Sequence, residues 1–231
     1  MNLCSNGIKD GSTSALIFSG YGVDTKGDTV QQLFDAYEEL GIPAHTIDKP
    51  GTFSKSDKKF CSETFAQDIV KLVNYLRDRT DKIILVGNSV SNTACVEAIG
   101  DCQDVIAKYI GIAPVFDLEI AILNRLKAMG NNVLEVDEKV LESLGIFGGT
   151  NLDIPKVLTE IEKYRGGNHL VQKLLTVTRS IQVDLFLNMY DQIINPDIVQ
   201  GVSGGQIHWT PQVEGDPTFH NVSAQNIIDK M

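Results

Sequence analysis

The chain has 231 residues, 42% of them apolar and 22% charged, enough for one sizeable buried core and too apolar for a disordered chain. A formal net charge of −10 argues against a nucleic-acid partner, which needs clustered Lys and Arg, and against adhesion to an anionic membrane surface. Cysteines at 4, 61, 95 and 102 form no CxxC pair, so no zinc site is expected, and Cys95 and Cys102 lie about 10 Å apart along a helix axis, too far for a disulfide.

The opening Met1-Asn2-Leu3-Cys4-Ser5-Asn6-Gly7 has no basic region and no adequate apolar stretch, so no secretory signal is expected. No apolar run approaches the length of a membrane span, and the expected location is cytoplasmic. Ala15-Leu16-Ile17-Phe18 reads as a buried strand that ends at Ser19-Gly20-Tyr21-Gly22. A helix follows, with Val30, Leu33, Phe34, Tyr37 and Leu40 on one stripe, closed by Gly41 and Pro43. Residues 44–47 form a second strand, and Asp48-Lys49-Pro50-Gly51 opens a polar loop. The next helix carries Phe65, Ile69, Leu72, Val73 and Leu76 inward, with Thr64 and Gln67 placed as a capping box.

A strand at 82–86 then runs straight into Gly87-Asn88-Ser89-Val90-Ser91, and a helix with Ala94, Cys95, Ala98 and Ile99 inward follows at once. Residues 105–113 read as another strand. Residues 116–180 change character: stripes such as Ile122/Leu126/Met129 and Val157/Ile161/Tyr164 indicate several short helices. Strand patterns return at 182–189 and 206–212, and a short helix near 224–228 closes the chain. Strands alternating with helices predict an α/β architecture, a mostly parallel sheet of about six strands with helices on both faces. The helical block is too long for an ordinary crossover. It reads as a cap inserted over the carboxyl edge of the sheet, dividing the chain into a core of 1–115 and 181–231 and a cap of 116–180.

Ligands of an open parallel sheet bind beyond the carboxyl ends of its strands. Ser19-Gly20-Tyr21-Gly22, Ser89, Asp191 and His220 all fall at such ends, which brings a nucleophile, an acid and a base to one edge in the order Ser, Asp, His. That order, with the strand–turn–helix around Ser89, resembles the α/β-hydrolase family. The strand running into Asp191, followed by Gln192-Ile193-Ile194-Asn195-Pro196, is similar to the family's acid-bearing strand. The loop from Asp48 through Ser56 is similar to the one after its second parallel strand. The sequence departs from the pattern at Ser91, where the family usually has glycine, and at Ser19, where many members have histidine. The family's leading antiparallel hairpin has no counterpart in the short stretch before the first strand.

The resemblance implies a serine hydrolase that needs no cofactor and no metal. Ser89 is then the nucleophile, His220 the base that takes its proton, and Asp191 the group that orients the imidazole. The backbone N–H groups of Val90 and Tyr21 are the expected oxyanion donors, with Gly20, Gly22 and Gly87 permitting close backbone approach. His208, Asp184 and Asp197 are weaker rivals, and His45 and His169 read as structural, His169 with no partner in view. The expected substrate is a small or medium acyl ester or thioester. An acyltransferase and a non-catalytic ligand-binding protein on the same scaffold are the alternatives.

Overall fold

The computed structural model describes residues 3–5, 11–20, 28–51, 58–147, 150–202, 204–211, 213 and 220–230. Among them, strands β1 (Leu3–Ser5), β2 (Gly11–Phe18), β3 (Ala44–Ile47), β4 (Thr80–Asn88), β5 (Ile106–Ile112), β6 (Gln182–Leu187) and β7 (Gln206–Trp209) form one sheet in the order β1-β3-β2-β4-β5-β6-β7. Six strands run parallel, as the alternation of elements predicts, and β1 pairs antiparallel with β3 at the edge. The sequence reading has no counterpart to β1, because three residues are too few for a periodic pattern to register.

The central strands are apolar on both faces, as a covered parallel sheet requires. Leu16, Leu85, Tyr109 and Leu185 point into one core with α2 (Ser62–Leu76), α3 (Ser91–Cys102) and α7 (Asn168–Val177). Ile17, Val86, Ile110 and Phe186 point into the other, closed by α1 (Asp28–Glu39) and α9 (Ala224–Ile228). Leu40, expected on the inner stripe of α1, lies beyond the helix end and is exposed, because the chain turns at Gly41 with φ 71.

Helices α4 (Leu118–Ala128), α5 (Glu138–Phe147), α6 (Ile154–Tyr164) and α7 separate β5 from β6. The expected capping box of α2 does not form. Cys61 occupies its N-cap, and the carboxylate of Glu160, on α6, accepts the N–H groups of Ser62 and Glu63. The orphan donors of the first turn therefore find their partner on another element. A one-residue parallel bridge from Phe60 to Leu152 runs beside this contact. Farther along α6 and on α7, Lys163, Tyr164, His169 and Lys173 converge on Glu97 of α3, so His169 has a partner that its sequence neighbours do not reveal. No helix among the described residues is long and apolar enough to cross a membrane.

Candidate active site

β4 ends in a tight turn that only certain residues can make. A Cβ on Gly87 would lie 2.9 Å from Asn92 Oδ1 and 3.1 Å from Cys95 Sγ, so glycine lets α3 pack directly on the strand. Ser89 itself has φ 53, a left-handed conformation that costs a non-glycine residue about 1–3 kcal/mol. The surroundings hold it there. Its N–H donates to the carbonyl of Ile112 at 2.8 Å, and its carbonyl accepts the backbone N–H of Asn92 at 3.1 Å.

The Asn92 side chain completes this brace. Its Nδ2 donates to the carbonyls of Ser89 at 2.7 Å and Ile112 at 3.0 Å, while its Oδ1 accepts the Tyr109 hydroxyl at 2.6 Å. Burial pushes the Tyr109 phenol well above its ordinary range, so it remains a donor. Sequence reasoning missed both residues. The signal available was a polar Asn at an inward position of a helix that starts at the turn, which is costly unless its amide is fully bonded.

The strained turn lifts the Ser89 hydroxyl to 2.9 Å from His220 Nε2. On the other side of the ring, His220 Nδ1 lies 2.9 Å from Asp191 Oδ2. A carboxylate only accepts, so in the neutral ring Nδ1 carries the proton and donates to Asp191, leaving Nε2 free to accept from Ser89. Asp191 is itself held: its Oδ1 accepts the N–H groups of Ile193 at 2.7 Å and Ile194 at 3.1 Å. The Asp191 side chain is fully shielded and that of His220 is 12% exposed, so the relay sits where bulk water does not screen it.

The other expected residues fall as follows. Gly20 lies against the nucleophile, where an added Cβ would stand 3.1 Å from Ser89 Cβ. Val90 is the N-cap of α3, buried and lining the same space. Tyr21 and Gly22 lie outside the described residues. The rivals are committed elsewhere: His208 stacks on Phe186 with centroids 4.5 Å apart, and Asp184 pairs with Lys108 at 2.7 Å. Asp197 sits in the first turn of α8 (Pro196–Gln200), its N–H on Asn195. His45 is buried in β3, and burial lowers its pKa. No group of three or more His, Cys, Asp or Glu among the described residues is arranged to hold a metal ion.

A cavity of about 260 Å³ opens onto Ser89 and His220. Its wall is mostly apolar, drawn from Leu118, Ala121 and Ile122 of α4, Leu141 and Leu144 of α5, and Val157 of α6. The space therefore receives an apolar group next to a hydroxyl that is hydrogen-bonded to a base.

No family model matches the sequence, and a comparison with curated proteins finds no match. Solved structures do match in shape. Est1E from Butyrivibrio proteoclasticus, whose structure holds ferulic acid, superposes with a TM-score of 0.71 at 14% identity over 99% of this chain and 91% of its own. A lipase-esterase related protein from Clostridium acetobutylicum gives 0.65 at 14% identity over 99% and 97%. The mouse alpha/beta hydrolase domain-containing protein 10 gives 0.66 at 17% identity over 99% and 90%. Near-complete coverage on both sides at such low identity is a likeness of architecture, and the conclusion it carries is that the chain has the α/β-hydrolase fold.

Proposed function

We propose that this protein is a serine hydrolase that cleaves an ester or thioester of a small or medium acyl group through an acyl-enzyme on Ser89. The observation that carries the reading is the unbroken relay Ser89–His220–Asp191, two contacts of 2.9 Å in line. A free serine hydroxyl is a poor nucleophile, and the relay supplies the base that activates it.

In the proposed reaction the Ser89 oxygen attacks the substrate carbonyl while His220 Nε2 takes the hydroxyl proton. Asp191 keeps the ring in the productive tautomer and stabilises the imidazolium. The negative charge on the carbonyl oxygen is met by the N–H of Val90, at the start of α3, and by that of Tyr21, each donor contributing about 3 kcal/mol in comparable sites. Collapse of the tetrahedral intermediate breaks the ester or thioester bond, and His220 returns the proton to the departing alcohol or thiol. Water then repeats the sequence on the acyl-enzyme and releases the acid.

Residues 116–180 are proposed as the cap, and α4, α5 and α6 are the part of it that walls the cavity. The fourth helix, α7, packs against α3 in the layer of the sheet's own helices, with Lys173 on Glu97. A fluorophosphonate probe tests the assignment: wild type should label and Ser89→Ala should not, and a series of p-nitrophenyl esters should show turnover that depends on acyl length. Equal labelling or equal turnover by Ser89→Ala rejects it.

A further inference from the structure

Two consecutive peptide carbonyls at the mouth of the site are gripped from the protein side. Lys49 Nζ lies 3.3 Å from the carbonyl oxygen of Ser19 and also donates to the carbonyl of Gly20. The hydroxyl of Ser91 donates to the same Ser19 carbonyl. All four residues are buried, Lys49 at 5% exposure and Ser91 at 0%. An ammonium survives burial only where acceptors meet it, and here those acceptors include successive carbonyls of the loop that leaves β2. Gly20 also stands against Ser89, as the 3.1 Å approach of its would-be Cβ shows.

Fixing the Ser19 and Gly20 carbonyls therefore fixes the stretch of backbone that stands against the nucleophile. Ser91, the first residue of α3 and the chain neighbour of Val90, holds the Ser19 carbonyl from the other side of the contact. The residue that departs from the family's glycine pattern thus ties the nucleophile turn to the neighbouring loop.

We propose that Lys49 and Ser91 are positioning residues that hold the Ser19-Gly20 backbone against the Ser89-Val90 turn, so that the turn keeps its aim at the developing oxyanion. The inference rests on the serine hydrolase reading above. Neither side chain is assigned a contact with substrate. Their effect is confined to the transition state, where charge builds on the carbonyl oxygen.

The test uses p-nitrophenyl butyrate turnover and a trifluoromethyl ketone, which adds to the nucleophile and mimics the tetrahedral oxyanion. Lys49→Met should lower kcat by about 10–100-fold, less than the roughly 100–1,000-fold that outright loss of an oxyanion donor costs, and Ser91→Ala by about tenfold. KM should stay within about twofold in both, and the ketone should weaken by the same factor as kcat/KM. Lys49→Arg, which keeps the charge and the donors, should recover part of the loss. If Lys49→Met fails to fold, Ser91→Ala decides alone. A folded variant with wild-type kcat and wild-type ketone affinity overturns the assignment for its residue, as does a rise in KM with ketone affinity unchanged. Failure of the underlying reading looks different, because Ser89→Ala would then retain turnover.

Discussion

Glu160 accepts the backbone N–H of Ser62 at 3.0 Å across a sequence separation of 98, and its second oxygen takes the N–H of Glu63 at 2.7 Å. One carboxylate thus caps α2 and fastens α6 to it. Burial raises the Glu160 pKa above 4.5, against the opposing pull of those two N–H bonds. A raised carboxyl gives up stability as pH climbs from 4.5 through its folded value, since the unfolded chain ionises first. Glu160→Ala should cost about 1–2 kcal/mol in urea unfolding at pH 7 by leaving one buried donor and one half-buried donor without their acceptor. Glu160→Gln keeps one acceptor without the charge and should stay within about 1 kcal/mol of wild type, with a flatter pH dependence above 4.5. An alanine variant as stable as wild type would remove the cap from the account.

Glu97 has the opposite sign. Burial acts to raise its carboxyl, but hydrogen bonds from Lys163, Lys173 and Tyr164 outweigh burial and hold it at about 2. The stability it contributes is complete above its ordinary value of 4.5 and disappears as pH falls toward 2. Its lysine partners keep 43% and 31% side-chain exposure, so solvent screens the pairs. Glu97→Gln should lose about 1–2 kcal/mol at neutral pH after that discount, and less in high salt. Urea midpoints compared at pH 7 and pH 3 check the sign: a gap between variant and wild type that widens on acidification contradicts it.

These two glutamates mark where the sequence stops being legible. The strands β2 to β7, their parallel sheet and the turn at Ser89 follow from local pattern, because strand and helix periods are written in neighbouring residues. Asp191 and His220 are legible as residues at strand ends. Their approach to Ser89 is a property of the folded sheet. Glu160, Glu97, Asn92 and Lys49 act across separations that no periodicity encodes. Each is a buried or, for Glu97, half-buried polar residue, and its partner is fixed only once two elements pack. Cys61 caps α2 in place of the expected Thr64 and Gln67 pair: the helix starts at Ser62, Cys61 Sγ accepts the N–H of Thr64, and Glu160 of α6 accepts those of Ser62 and Glu63.

Ser89, His220 and Asp191 should behave as one unit under mutation. Ser89→Ala and His220→Ala are each expected to lower kcat by about 10⁴–10⁶-fold, and Asp191→Asn by about 10⁴-fold. The triple variant should be little worse than Ser89→Ala, because the first loss already disables the relay. Far-ultraviolet circular dichroism and thermal unfolding should remain near wild type for Ser89→Ala, whose side chain points into the cavity. Losses that multiply across the three positions would mean that they act independently.

Acyl selectivity should answer to α4. Leu118, Ala121 and Ile122 present one face of that helix to the cavity, at the i, i+3 and i+4 spacing of a single stripe. Ala121 has the smallest side chain that α4, α5 or α6 contributes to the wall, so it leaves the most room. Ala121→Phe would project a ring into a space of about 260 Å³ while leaving the residues of the relay unchanged in sequence. Pocket fit is worth about 1–3 kcal/mol per methylene, so long chains should suffer first. The expected result is a fall of about tenfold or more in kcat/KM for p-nitrophenyl octanoate relative to the acetate, with labelling by a small phosphonate unchanged. If the octanoate-to-acetate ratio stays at its wild-type value in the folded variant, the acyl chain does not lie along α4, and the cavity wall is packing rather than specificity.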